Sequence, residues 1–192
     1  SFFEKGPGIV LVITAGEETG CEGSYYLASL GDVLGEAGAI VVAEPTYNKP
    51  LIGHKGALWL KARTVGVTAH GSMPEKGDNA VYKAARAISK LEDFDFNIAR
   101  DPVLGKPSLN VGTAQGGLNV NSVPDSAEIG IDIRTVIGQD HTKVHTDLAG
   151  YLGDDVEIEP FVDVGGVLTD PNDEWMLKVF EIMEKILGEP NT

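Results

Sequence analysis

The sequence is poor in cysteine and in positive charge, and it has no long hydrophobic run. Cys21 is the only cysteine among 192 residues, which excludes an intrachain disulfide and a zinc site built from cysteines. The net charge of −14 repels a phosphate backbone, so we expect no nucleic-acid partner. No run approaches the roughly 18 apolar residues of a membrane helix, and residues 1–8 lack a signal-peptide pattern. We therefore expect a soluble, cytoplasmic globular protein with no membrane partner.

The first fifty residues have the pattern of an α/β layer. Residues 8–15 form an apolar run without alternation, which is typical of a strand buried on both faces of a parallel sheet. A short helix is predicted over 23–30, and a second apolar strand over 39–43. The order strand, helix, strand predicts an α/β layer.

From about residue 55 the pattern changes to strands with one covered face. Apolar and polar residues alternate over 58–65, and further strands are predicted over 108–114, 126–135 and 156–162. One helix is predicted over 140–152, and another begins at Asp78 as its N-cap. The inward positions of that helix are predicted to be Val81, Ala84, Ala85, Ile88 and Leu91. The order βαββαβ predicts an α+β ferredoxin-like module with an antiparallel sheet and two helices on one face.

After this module the pattern becomes helical again. A pair of glycines at 165–166 precedes a helix whose apolar positions are Val179, Phe180, Met183 and Leu187. We therefore predict three parts: residues 1–50 and 163–192 as pieces of an α/β domain, and residues 51–162 as a module inserted between them.

Three acidic residues follow the predicted apolar strands of the first part. Glu17 and Glu18 come directly after residues 8–15, at the strand end where open α/β sheets place their ligand crevices. Adjacent side chains diverge, so one can bind a metal while the other acts as a general base on water. Glu44 ends the second apolar run before Pro45. Each of these acids also has a simpler interpretation as a solvated surface or loop residue.

The inserted module carries the other candidate residues. His70 lies in a stretch of small and turn-forming residues after a strand, where a neutral imidazole can donate to a developing oxyanion. Asn121 precedes the strand over 126–135, and Arg134 lies near the end of that strand. The guanidinium of Arg134 matches a substrate carboxylate, but an exposed strand arginine paired with Asp132 or another acid is the simpler interpretation. The remaining histidines, His54, His141 and His145, are expected to be solvated.

Taken in order, these motifs resemble one family. They are Gly16-Glu-Glu-Thr-Gly20, Ala43-Glu-Pro-Thr46, Ala69-His-Gly-Ser-Met-Pro74, Asn121-Ser-Val-Pro124 and Arg134. Their order and their positions relative to the predicted strands resemble the acetylornithine deacetylase and succinyl-diaminopimelate desuccinylase family of dinuclear zinc amidohydrolases. Related glutamate carboxypeptidases and aminoacylases share the pattern.

The resemblance implies a role for each candidate residue. Glu17 corresponds to the general base and acid, Glu18 to a ligand of one zinc, and Glu44 to a ligand of the other. His70, Asn121 and Arg134 correspond to residues of a lid that closes over the substrate, and His70 typically reaches into the neighbouring subunit. The implied protein hydrolyses a small N-acyl amino-acid substrate, uses two zinc ions or alternatively cobalt, and forms a homodimer through the lid.

The same resemblance implies that parts of the zinc site lie outside this sequence. The family's His-x-Asp motif and bridging Asp precede the Glu-Glu strand, and its last histidine ligand follows the lid; neither segment is present here. We therefore expect a catalytically inactive fragment that binds no stoichiometric zinc. The alternative outside the enzyme class is a dimerisation or small-ligand binding module without catalysis.

Overall fold

A computed structural model describes residues 8–188. Residues 1–7, which belong to the segment compared with a signal peptide, and residues 189–192 lie outside the described part. The chain divides into two compact units, Ser1–Asn48 and Lys49–Thr192, and each is considered by itself. Within residues 8–188, no helix is both long enough and apolar enough to cross a membrane.

The first unit contains one helix. α1 spans Glu22–Ser29, which confirms the helix predicted over 23–30, and a short 3-10 turn follows at Asp32–Leu34. The strands predicted over 8–15 and 39–43 are wrong, because neither segment is a strand and their apolar side chains are exposed; Ile13 is 86% and Ile40 78% accessible. A β-strand requires backbone hydrogen bonds to a neighbouring strand, and no such pairing forms within residues 8–48. A run of β-branched residues is therefore not sufficient to form a strand.

The second unit contains six strands and three helices among its described residues. In chain order they are β1 (Gly53–His54), β2 (Gly56–Val65), α2 (Ala80–Glu92), β3 (Ser108–Gly116), β4 (Ser126–Thr135), α3 (His141–Leu152), β5 (Glu157–Val164), β6 (Val167–Leu168) and α4 (Glu174–Leu187). From β2 to β5 the elements follow the order β, α, β, β, α, β. A short 3-10 turn, Pro74–Lys76, precedes α2.

The main sheet has four strands in the order β3, β4, β2, β5, and every neighbouring pair is antiparallel. The antiparallel pairing confirms the prediction. β1 and β6 form a separate two-stranded sheet where the chain enters and leaves the main sheet. This pair is not predicted from the sequence, because strands of two residues carry no measurable periodicity.

One face of the main sheet forms the core. Alternate residues of β2 and β4 are buried there, and both α2 and α3 contribute residues to the same cluster. The buried side chains of the two helices are Ala80, Ala84, Ala87, Leu91, Val144, Leu148 and Leu152. The inward position predicted for Ala85 is wrong: Ala85 is exposed, because the buried row follows Ala80 and Ala84 around the 3.6-residue turn to Ala87.

The start of α2 also differs from the prediction. The N-cap is Asn79, whose side-chain oxygen accepts from the backbone N–H of Tyr82 at 3.0 Å. Asp78 is not the cap, because its backbone pairs with Val67 and its carboxylate binds Lys83. Both residue types are good N-caps, so sequence preference did not separate two adjacent candidates.

Candidate functional site

The structure brings the segments of His70 and Asn121 into contact. The backbone N–H of Gly71 donates to the carbonyl of Asn121 at 2.7 Å, and the N–H of Val123 donates to Ala69 at 2.8 Å. His70 forms an isolated antiparallel bridge with Ser122. The loop after β2 and the loop before β4 therefore run side by side, with the two candidate residues adjacent.

A tight turn holds the His70 ring. The N–H of Met73 donates to the carbonyl of His70 at 2.8 Å, which closes a four-residue turn. Ring atom Nδ1 lies 2.8 Å from Ser72 Oγ and accepts from the Ser72 backbone N–H at 3.2 Å. His70 is exposed, so the rest of its ring is accessible to a ligand.

Arg134 lies at the opposite end of the sheet. Its partners in the neighbouring strands are Ala57 and Ser108, whereas Ser126, at the other end of β4, pairs with Val65 just before the His70 loop. Arg134 is eight positions along the strand from Ser126, a span of about 26 Å at the usual strand rise. The sheet of one chain therefore does not bring Arg134 together with His70 and Asn121.

Arg134 is held on the open face of the sheet, the face without helices. Its Nε lies 2.9 and 3.0 Å from the two carboxylate oxygens of Asp132, and its guanidinium carbon lies 5.9 Å from the ring centroid of Trp59. The ion pair with Asp132 was the simpler interpretation of this arginine, and it is present. The side chain remains 43% accessible, so the other N–H groups of the guanidinium can donate to a carboxylate.

A cleft of about 490 Å³ opens beside the Asn121 loop, at the end of β2 and β4. Its lining includes Arg63, Gln115, Asn119, Ser122 and Glu128. Arg63 is the cation of this cleft, and it donates from Nε to Glu128 at 3.0 Å and from Nη1 to Glu159 at 3.4 Å. The hydrogen bond and charge of Glu128 raise the pKa of Arg63. Sequence reasoning missed Arg63, because its partners are 65 and 96 residues away.

Glu17 and Glu18 lie in the turn that connects residue 15 to α1. The N–H of Cys21 donates to Gly16 at 2.7 Å, and the N–H of Gly23 donates to Ala15 at 3.0 Å, so the turn folds back onto the preceding segment. Both glutamates are exposed. Their roles in metal binding and catalysis stay predictions.

Glu44 is also exposed and lies in a turn of its own. Its carbonyl accepts from the N–H of Thr46 at 2.8 Å, across Pro45. Carboxylates such as Glu18 and Glu44 are acceptable zinc ligands by their chemistry. Within residues 8–188, however, no three His, Cys, Asp or Glu side chains come together as a metal-binding group. The described residues therefore do not assemble a full ligand set by themselves.

Two histidines expected to be solvated are not. His141 is 11% accessible, with Nδ1 2.5 Å from Asp163 Oδ1 and Nε2 2.7 Å from Thr135 Oγ1. His145 donates from Nε2 to the carbonyl of Ile158 at 3.2 Å. The expectation was wrong because these partners lie on β4 and β5, which only the fold brings beside α3. His54 is exposed, as expected.

Comparison with known proteins gives a consistent family. Residues 52–158 match the family described as the M20 peptidase dimerisation domain. An acetylornithine deacetylase from Myxococcus xanthus is 30% identical over 141 residues, covering 71% of this chain and 37% of that protein. A probable carboxypeptidase from Talaromyces marneffei is 32% identical over 132 residues, covering 65% of this chain and 29% of that protein.

The fold comparison agrees. The crystal structure of a tripeptidase from Staphylococcus aureus superposes with a TM-score of 0.64 and 24% identity, covering 93% of this chain and 48% of that one. The chain thus spans less than half of the length of each of these three proteins. The family match includes the contact between the His70 and Asn121 loops and most of the four-stranded sheet, and by it this chain belongs to the M20 peptidases, a family that also contains acetylornithine deacetylases.

Proposed function

We propose that this chain is part of a metal-dependent amidohydrolase that removes the acyl group from an N-acyl amino acid, of the deacetylase or desuccinylase type. The observation that carries the proposal is the backbone contact between the loop of the exposed His70 and the loop of Asn121. The similarity to an acetylornithine deacetylase supports the same reaction class. We also propose that the protein is located in the cytoplasm.

The proposed division of the chain follows from the same resemblance. Residues 51–162 form a ferredoxin-like lid, while residues 1–50 and 163–192 belong to a catalytic domain. The βαββαβ order, the antiparallel strand order and the family match over 52–158 support the lid. The exposed apolar run around Ile13 supports a catalytic domain with further strands to cover it.

In the proposed reaction Glu17 takes a proton from the attacking water and returns it to the leaving amine. Glu18 and Glu44 would each hold one metal ion, either zinc or alternatively cobalt. When bound, the two ions polarise the amide carbonyl and lower the pKa of water. His70 donates a hydrogen bond to the oxyanion that forms at the carbonyl, and Asn121 contacts the substrate from the adjacent loop.

The separation of Arg134 from His70 favours active sites shared between two subunits. A small amino-acid derivative does not span about 26 Å of strand. We propose that Arg134 binds the substrate carboxylate in the active site of its own subunit, whereas His70 and Asn121 complete the site of the partner. The protein is then a homodimer, in line with its dimerisation domain.

The two outer strands of the sheet differ in how well they suit a second copy. β5 carries Glu157, Glu159 and Asp163 together with Pro160, and edge strands are commonly protected from pairing by charges and proline. β3 has the sequence Ser-Leu-Asn-Val-Gly-Thr-Ala-Gln-Gly, without charge or proline. We therefore propose that two copies join their sheets along β3, with α2, which packs against β3, beside the contact.

The loop that continues from β3 supports this choice of edge. Leu118 and Val120 are almost fully exposed, at 97% and 104% of the reference area, and they flank Asn119 just before Asn121. Two apolar side chains on a loop tip suit burial against a partner. A contact along β3 carries this loop toward the second subunit, where Asn121 is needed.

Two lysine variants test the edge. Asn110→Lys puts a charge on β3, and Glu157→Lys puts one on β5. We expect sedimentation to show a dimer for the unmodified chain and for Glu157→Lys, and a monomer for Asn110→Lys, with the same far-ultraviolet circular dichroism in all three. Dissociation of the Glu157→Lys variant alone would place the contact on β5 and contradict the proposal.

The catalytic proposal is tested in a longer protein that contains this chain and the remaining metal ligands. Glu17→Gln should abolish hydrolysis of acetylornithine or succinyl-diaminopimelate while the bound metal is retained, and His54→Asn, at an exposed position, should leave activity unchanged. Full activity of the Glu17→Gln variant would refute the role of Glu17. The chain by itself should be inactive, and two equivalents of zinc bound after dialysis would contradict this expectation.

A second candidate within the same class is a carboxypeptidase or aminoacylase, which the similarity to a probable carboxypeptidase favours. Peptides ending in glutamate and N-acyl neutral amino acids, assayed beside acetylornithine, separate these substrates. A dimerisation or small-ligand binding module without catalysis predicts no hydrolysis of any of them, even with all metal ligands present. The Glu17→Gln change is neutral in that case.

A further inference from the structure

The His70 ring has a defined hydrogen-bonding state. Its Nδ1 accepts from the backbone N–H of Ser72 at 3.2 Å and lies 2.8 Å from Ser72 Oγ. A backbone N–H only donates. A hydrogen on Nδ1 would point at the hydrogen of the Ser72 N–H, so Nδ1 carries a lone pair. The neutral ring therefore has its proton on Nε2.

The turn that contains Ser72 is fixed on both sides. The N–H of Met73 closes it on the carbonyl of His70, and the N–H of Gly71 binds the carbonyl of Asn121. A side chain that accepts from the N–H two residues later is a local bond of the kind found in Asx turns. The backbone at Ser72 is therefore constrained. Both the N–H and the hydroxyl of Ser72 contact the same ring nitrogen of His70, Nδ1.

We infer that Ser72 is a positioning residue that holds His70 in the tautomer with hydrogen on Nε2. The consequence for catalysis rests on the proposed function. A developing oxyanion needs a hydrogen-bond donor, and in the other tautomer Nε2 would carry a lone pair instead of a hydrogen. The backbone N–H of Ser72 selects the tautomer, and its hydroxyl limits rotation of the ring. Because His70 is exposed, Nε2–H is available to a group outside the turn.

The tautomer is tested directly by NMR on this chain, without metal or substrate. Long-range ¹H–¹⁵N spectra separate protonated from unprotonated ring nitrogens, and loss of a signal in His70→Gln identifies His70. We expect Nε2 to be protonated and Nδ1 unprotonated, with one set of signals. In Ser72→Ala the shift difference between the two nitrogens should shrink as the ring gains freedom, whereas Ser72→Thr and the exposed control Ser89→Ala should match the unmodified chain. A proton on Nδ1, or an unchanged spectrum in Ser72→Ala, overturns the inference.

Kinetics in the longer protein supply the second measurement. Loss of the hydroxyl in Ser72→Ala should lower kcat about fivefold with KM unchanged, as expected for one hydrogen bond, and Ser72→Thr should restore it. An equal kcat in Ser72→Ala counts against positioning by Ser72. If the spectra are as expected but His70→Gln retains full activity, the proposed function fails while the tautomer assignment is supported.

Discussion

Gly71 and Asn121 approach so closely that a side chain at position 71 would crowd the backbone of Asn121. Their backbones share a 2.7 Å hydrogen bond, and a Cβ atom built on Gly71 would lie 3.0 Å from both the carbonyl carbon and the carbonyl oxygen of Asn121. The neighbouring atoms are backbone, which does not rotate away as a flexible side chain does. The glycine therefore permits the contact that brings His70 beside Asn121.

The first prediction concerns this contact. Gly71→Ala should separate the two loops and cost about 1 to 2 kcal/mol of unfolding free energy, as overpacking does. Hydrogen exchange at the Val123 amide, which bonds across the loops, should accelerate. Gly150→Ala is the control, because Gly150 is an exposed position of α3 where an added Cβ would meet no atom within 4 Å. That change should add about 0.5 to 1 kcal/mol by restricting the unfolded chain. Unchanged exchange at Val123 in Gly71→Ala would refute the proposed loop geometry.

The second prediction concerns the start of α2. Asn79→Ala removes the acceptor for the Tyr82 N–H and should cost about 1 kcal/mol. Asn79→Asp keeps an acceptor and should be close to neutral. Both tryptophans, Trp59 and Trp175, lie within Lys49–Thr192, so urea unfolding followed by tryptophan fluorescence reports on this unit. Equal losses for the two variants would mean that the side chain at 79 is not the cap.

The sequence predicted the elements whose pattern reflects burial on a single face. β4 was predicted over 126–135, and it spans Ser126–Thr135, because isoleucines alternate with polar residues throughout. The apolar runs at 8–15 and 39–43 show the opposite case. Their composition is that of a buried strand, yet strand formation depends on a hydrogen-bonded neighbour, and within residues 8–48 none is present.

The residues of the candidate site were predictable from the sequence, but the distances between them were not. Motif order named His70, Asn121 and Arg134 together, whereas strand register places Arg134 at the far end of β4. The partners of His141 were beyond sequence reasoning for a related reason: Asp163 is 22 residues away, and no periodicity connects it to α3. Chemistry can be inferred from residue types, but distance requires the register of the sheet.

The third prediction concerns pH. Lys83 Nζ lies 2.5 Å from Asp78 Oδ2, 3.3 Å from Asp155 Oδ1 and 3.0 Å from the carbonyl of Val65, and its side chain is 14% accessible. The hydrogen bond to Asp78 raises the pKa of Lys83. A raised folded-state pKa contributes stability below the unfolded-state value, and this contribution is lost as the pH rises through the folded-state value.

Lys83→Met should therefore lower the urea midpoint at pH 8, and the difference from the unmodified chain should shrink above about pH 10.5, where the lysine of the unfolded chain loses its proton. Lys143→Met is the matched control. Lys143 pairs with Asp147 on the exposed surface of α3, and such pairs contribute little. A difference for Lys83→Met that stays constant from pH 8 to pH 11.5 would contradict the electrostatic explanation.

The fourth prediction concerns the chain of hydrogen bonds from Thr135 through His141 to Asp163, which joins the ends of β4 and β5 to the first turn of α3. Thr135 is 1% accessible, so removing its hydroxyl leaves a partly buried ring nitrogen without this partner. Thr135→Val should cost about 1 to 2 kcal/mol of unfolding free energy. Thr142→Val, at an exposed position on the same helix, should change stability little.

A double-mutant cycle separates this hydrogen bond from general packing. In a His141→Leu background Thr135→Val should cost less than in the unmodified chain, because the ring nitrogen that its hydroxyl serves is already absent. The coupling energy should be at least about 0.5 kcal/mol, as is usual for residues in one hydrogen-bond network. If the two substitutions add without coupling, Thr135 and His141 contribute to stability independently. The ends of β4 and β5 are then held at α3 by packing alone, and the hydrogen-bond chain has no energetic role.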